Sequence, residues 1–201
     1  ENAALMNQIE RLSAKTDELD SAYIHLDSTG SNPLYTFIPA KIVSNSTNKL
    51  QNYLILNRGK KDGVKKDMGV ISSKGVVGIV IEVTDNYSYV VSFLSTTQSI
   101  SAKIEPSGAF GPLAWEGVKT NFATLSEIPH HININEGDTV YTSGYSAIFP
   151  KDIPLGIARE SVLKRGTHQS IKVELFQEFN TLHFVNIVVN NNREELTTFN
   201  N

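Results

Sequence analysis

Gly144-Tyr145-Ser146-Ala147 comes close to the Gly-x-Ser-x-Gly elbow that exposes a serine nucleophile in many hydrolases. Such an elbow needs a strand, a sharp turn with glycine on both sides, and a helix behind it. Thr139–Thr142 offers a strand, but Ala147 stands where the second glycine belongs. Pro150 and Pro154 follow too soon for a helix to run on. A nucleophilic serine also needs a base held by an acid. His130, His131 and His168 are available, but no spacing ties one of them to Ser146. The segment reads as a β-turn region, with Gly144 at a positive φ or a close approach. A serine hydrolase on a β-barrel, with Ser146 as nucleophile, is the alternative.

The other reactive types suggest less. His130 and His131 are adjacent, and adjacent residues of an extended segment point to opposite faces, a poor arrangement for sharing a metal. Glu127 adds no ligand spacing. His25 falls on a polar helix position, and His183 lies in an apolar strand. No cysteine is present, which excludes disulfides and thiolate sites. No metal or cofactor is expected. Lys60, Lys61, Lys65 and Lys66 are the one basic cluster. It surrounds an Asp62-Gly63 turn and is blunted by Asp62 and Asp67. It reads as a solvated turn, with anionic lipid or an acidic partner as the rival reading. Gly75 and Gly78 lack the strand, glycine and helix order of a phosphate loop. Trp115 is the one tryptophan, so no aromatic platform for a glycan stands out.

These residues must be carried by short strands. Period-two segments recur from Thr36 onward: Thr36–Val43, Tyr53–Asn57, Val70–Ser72, Val76–Val83, Ser88–Leu94, Ile100–Ile104 and Phe110–Trp115. Ala123–Leu125, Thr139–Thr142, Ile157–Leu163, Ile171–Phe176 and Leu182–Val189 continue the series. Turn signals such as Lys74-Gly75, Asp85-Asn86 and Glu116-Gly117 separate them. Many short strands with regular turns predict sandwich or barrel architecture.

Residues 1–28 differ. Leu5, Ile9, Leu12, Thr16, Leu19, Tyr23 and Leu26 are spaced alternately by four and three, a heptad seam with leucine at every d position. The remaining faces are polar. This stripe is narrow, as in a coiled coil, whereas a helix lying on its own domain adds apolar e or g positions. The chain opens at Glu1-Asn2 inside this pattern, so an upstream part is expected. No run of about 18 apolar residues occurs. The formal charge of −3 favours neither nucleic acid nor an acidic membrane surface.

Two stretches carry a family resemblance. Leu56–Val90 holds a strand ending at a glycine, then Gly69-Val70, then Gly75-Val76-Val77-Gly78-Ile79-Val80, then Tyr87-Ser88-Tyr89-Val90. Gly137–Gly156 holds Gly-Asp-x-Val-x-Thr-Ser-Gly followed by Phe149-Pro150-Lys151-Asp152-Ile153-Pro154-Leu155-Gly156. With a heptad helix ahead of them, they resemble the rod shape-determining MreC family. Asp152 departs from the glycine that relatives often carry there.

The resemblance implies a mainly β fold: a coiled-coil helix over 1–28, then two small β-barrel-like subdomains. The expected split is 33–94 with 157–189 against 95–156, with a flexible tail over 190–201. It also implies a non-enzymatic periplasmic scaffold of cell-wall elongation, held at the inner membrane by one upstream transmembrane helix. Expected partners are a second copy through the seam, a class B penicillin-binding protein, MreD and the RodA machinery. The family's barrels resemble those of chymotrypsin-like proteases without known catalysis.

Overall fold

The computed structural model describes residues 34–164 and 167–192. The heptad seam of residues 1–28 and the tail beyond residue 192 lie outside them. Every predicted strand is present, most of them longer by one or a few residues. β1 (Tyr35–Asn45), β2 (Gln51–Leu56), β3 (Gly69–Ser72), β4 (Gly75–Val83) and β5 (Ser88–Ser95) form most of a first barrel. β6 (Ser99–Glu105), β7 (Ala109–Ala114), β8 (Phe122–Pro129), β9 (Thr139–Thr142), β10 (Pro154–Lys164) and β11 (His168–Leu175) form a second. β12 (Phe184–Asn190) returns to the first. The strand orders are β1-β12-β3-β4-β5-β2 and β10-β11-β8-β7-β6-β9, both closed.

This corrects the expected boundary. Residues 157–183 do not join the first barrel, and only β12 does. β10 pairs with β9 (Ile157↔Thr139) and with β11 (Ala158↔Val173), and β11 pairs with β8 (Ile171↔Leu125). Without these two strands the second barrel would be a four-stranded sheet with two open edges, which closure removes. Asn190, placed in the tail by sequence, completes β12. Its side-chain amide donates to the Ala147 carbonyl at 3.0 Å.

Period-two alternation fills each barrel from within. Leu54, Leu56, Val70, Val80, Val90 and Ile187 form the first core. Ile104, Leu113, Leu125, Ile128, Val140 and Val173 are fully buried in the second. Each such side chain contributes about 1.5–3 kcal/mol by leaving water. Between β2 and β3 the chain makes a 3₁₀ turn over Lys60–Asp62, closed by Gly63 at φ 86°. The Asp62 carboxylate accepts from the Gly59 amide at 2.9 Å, which accounts for the acid inside this basic cluster.

Candidate functional site: the junction of the two barrels

The two motifs that carry the resemblance meet in space. The second motif loops out between β9 and β10, and Thr142 organises it. The Thr142 hydroxyl donates to the Pro150 carbonyl at 2.6 Å and accepts from the Ile153 amide at 2.9 Å. Its backbone accepts from Asp152 N at 3.1 Å and donates to the Ile153 carbonyl at 2.9 Å. This double clasp turns the Phe149 ring into the structure, where it is 2% exposed. The ring lies against Gly69 of β3: a Cβ on Gly69 would sit 2.6 Å from a ring carbon. At the first residue of β4, a Cβ on Gly75 would sit 2.9 Å from the Pro154 carbonyl oxygen. The glycines of the first motif are therefore the floor on which the second motif rests.

Polar contacts close the same junction. The buried Ser72 hydroxyl donates to the side-chain oxygen of Gln177, itself buried. The Asn45 amide donates to the Phe179 carbonyl at 2.8 Å. Phe179, in the crossing back to the first barrel, stacks on Phe93 at 6.4 Å. Apolar packing and these buried hydrogen bonds together fix one barrel against the other.

Ser146 sits in the same loop, half-buried, and the next element is β10 rather than a helix. Gly144 does take a left-handed φ of 78°, and a Cβ there would also collide with Lys151. The imidazoles of His130 and His168 are elsewhere. β9 ends beside the start of β10 (Tyr141↔Pro154), whereas His168 pairs with Lys164 at its far end. β10 has 11 residues, so about 30 Å of strand separates the two ends. His130 is at the far end as well, its amide donating to the Thr167 carbonyl at 3.1 Å. His130 and His131 are exposed and lie in a turn, not in the extended segment read from sequence. The His183 carbonyl accepts from Ile42 of the first barrel. Among the described residues no three His, Asp or Glu side chains gather as metal ligands.

Asp152 occupies a left-handed position, φ 67°, a conformation that glycine adopts without a steric penalty. An acid is held in place by Lys103, whose Nζ lies 2.7 Å from Asp152 and 2.7 Å from Glu105. The hydrogen bonds that the Lys103 ammonium donates to Asp152 and then to Glu105 push its pKa well above its ordinary value. Sequence reading missed an aromatic pair beside this cluster. Phe110 and Tyr145 meet edge to face at 5.0 Å, 54% and 74% exposed. Their partnership is long-range and left no local signal. Trp115, in contrast, is buried and donates to the Lys119 carbonyl at 2.9 Å.

Among the described residues no helix is long and apolar enough to cross a membrane. A family model described as rod shape-determining protein MreC, barrel core, matches residues 42–189. The cell shape-determining protein MreC of Haemophilus influenzae is 28% identical over 120 residues, which is 60% of this chain and 34% of its own length. That of Listeria monocytogenes is 26% identical over 193 residues, 94% of this chain and 64% of its own. The chain thus spans roughly one to two thirds of the length of these relatives.

Among solved structures, MreC of Listeria monocytogenes superposes with a TM-score of 0.73 at 25% identity, over 94% of this chain and 90% of that one. The major periplasmic domain of a cell shape-determining filament MreC gives 0.69 at 21%, over 80% and 99%. A complex between a penicillin-binding protein and MreC from Helicobacter pylori gives 0.62 at 18%, over 79% and 99%. The family match runs from inside β1 into β12 and so covers both barrels: the chain belongs to the rod shape-determining MreC family.

Proposed function

We propose that this chain is a non-catalytic scaffold of the cell-wall elongation machinery, working in the periplasm and tethered by a transmembrane helix upstream of Glu1. Two copies pair through the seam of Leu5, Ile9, Leu12, Thr16, Leu19, Tyr23 and Leu26. The paired helices then present two fixed barrels to a penicillin-binding protein, with MreD and RodA as further partners. The observation that carries this reading is the junction. Both family motifs are spent on locking the barrels together, which is what a presenting surface needs and what a catalytic centre does not. The Helicobacter pylori relative in complex with a penicillin-binding protein supports the partner class. The periplasmic domain of the filament MreC supports the compartment.

The test is capture from envelope extract labelled with a fluorescent penicillin, using the chain with and without residues 1–28. The full chain is expected to retain a labelled penicillin-binding protein, and the shortened one to retain less, having lost its second copy. Retention of no labelled protein by either would sink the scaffold reading. Ser146→Ala is expected to capture as well as the original chain and to support cell shape equally.

A further inference from the structure

β12 ends beside the junction. Val185 and Ile187 belong to the first core, so Val188 and Asn190 take the opposite side of the strand. That side meets the motif loop of the second barrel. Val188 is 1% exposed, and the Asn190 amide reaches the Ala147 carbonyl at 3.0 Å. The side-chain oxygen of the same Asn190 accepts from the Asn192 amide at 3.0 Å. This is an Asx turn, which bends the backbone locally. One residue thus ties down the second barrel's loop and turns the chain off the line of β12.

The turned chain leaves along a groove of about 500 Å³. Val189 and Asn191 form one wall, Ile148 a second, and Lys65, Lys66 and Asp67 a third. Ile148 directly precedes Phe149, and Met68 directly precedes Gly69. The groove is therefore the open flank of the ring contact that locks the barrels. Ile148 and Val189 are half-buried, whereas Lys65 and Lys66 are exposed. The turn that carries the lysines is held in place. The Lys65 amide donates to the Met68 sulfur at 3.3 Å, and the Asp67 amide donates to the Val80 carbonyl at 2.7 Å.

An apolar floor under a basic rim suits an occupant that is acidic and apolar in turn. The sequence after Asn192 has that order: Arg193-Glu194-Glu195-Leu196-Thr197-Thr198-Phe199. The acids stand two and three residues past Asn192, a reach of about 7–11 Å. Their charges also answer each other. Two lysines and one aspartate give the rim a formal +1, and one arginine and two glutamates give the segment a formal −1. A segment joined to its own site by so short a link acts at a local concentration of the order of millimolar, so weak contacts suffice to seat it.

We propose that residues 193–199 fold back into this groove on their own chain, with Glu194 and Glu195 on Lys65 and Lys66, and Leu196 over Ile148 and Val189. The segment then straps the motif loop of the second barrel to the first, alongside Phe149. This goes beyond the proposed function and depends neither on the helix seam nor on a partner.

The experiment follows the segment in the full chain. Amide order parameters of residues 194–197 are expected to be about 0.85 in the original chain, as in rigid backbone, and below about 0.6 with Lys65→Glu and Lys66→Glu. Adding Glu194→Lys and Glu195→Lys to that variant restores the order, because both sides are then reversed. Protection of the Leu54 and Val80 amides checks that every variant keeps the first barrel. The chain has no cysteine, so an introduced pair reads without background. With oxidised glutathione, Ile148→Cys together with Leu196→Cys is expected to close a disulfide within one chain, at a rate independent of protein concentration. Reversing Lys65 and Lys66 slows that closure by about tenfold, since two attractive pairs become repulsive.

Order parameters below about 0.6 in the original chain overturn the proposal. So does a segment equally ordered after charge reversal, or a disulfide that closes equally fast. A disulfide between two chains would pass the segment to a second copy and overturn it too. If residues 194–197 stay disordered while inorganic phosphate shifts the Lys65 and Lys66 amide resonances, the groove belongs to an anionic ligand and the proposal fails.

Discussion

The second barrel is made from one unbroken run, Ser99 to Leu175, whereas the first stays open until β12 arrives from the far end of the chain. The exteriors differ too. The second is tied by ion pairs, such as Arg159 with Glu174 at 2.6 Å and Lys172 with Glu160 at 3.6 Å. The first shows tyrosine and isoleucine. A contiguous barrel pays its loop-closure entropy locally, while a discontinuous one depends on a distant strand. The insertion is thus the self-sufficient unit, and the barrel that hosts it is the dependent one.

The largest expected effect breaks this dependence. Ending the chain at residue 183 removes Val185, Ile187 and Val188, all buried, and leaves β1 and β3 with open edges. At about 1.5–3 kcal/mol each, these three side chains rival the whole stability of a domain. Hydrogen exchange is expected to reach the unfolded rate at the Leu54, Val80 and Val90 amides while Leu125 and Val173 stay protected. Equal loss in both barrels would show that the second is not self-sufficient.

Sequence carried the strands but not their allegiance. Alternation and turn residues mark β10, β11 and β12 equally well. What assigns the first two to one barrel and the third to the other is pairing with distant partners, as far apart as Val188 and Gly69, for which local pattern has no sign. Local pattern therefore places the return at Ile157, whereas it lies at Phe184. Asn190 looked like tail because polarity is judged locally, yet it ends a paired strand. Both motifs were visible, but only the fold shows Phe149 resting on Gly69. The turn around Ser146 was legible because Ala147, Pro150 and Pro154 forbid the elbow by local geometry alone.

The junction sets the next expected effect. Phe149→Ala removes a buried ring, a change that costs about 3–5 kcal/mol in well-packed cores. Gly69→Ala places a Cβ against that ring and costs about 1–3 kcal/mol by overpacking. Either change is expected to split thermal unfolding into two transitions, with the first barrel melting first. The two are expected to be non-additive, since removing the ring makes room for the new methyl. A single transition in both variants, or strict additivity, would mean the barrels are coupled elsewhere.

The smallest effect lies at Asp152, where two modest terms oppose each other. Glycine at this left-handed position relieves about 1 kcal/mol of backbone strain, but it adds a similar freedom to the unfolded chain. It also deletes one carboxylate of the Lys103 cluster, whose members are partly exposed, so the pair is worth about 0–1 kcal/mol. Asp152→Gly is therefore expected to shift stability by less than about 1 kcal/mol. A cycle with Lys103→Met isolates the pair from the strain, because strain relief is the same whether or not the ammonium is present. The sign with pH follows from the raised Lys103 pKa. A group raised on folding stabilises below its unfolded value, near 10.5, and the contribution fades as pH climbs through the folded value. The coupling is thus expected to be flat across neutral pH and to shrink only in strong alkali. A coupling that vanished near neutrality would instead place its origin in a group other than this lysine.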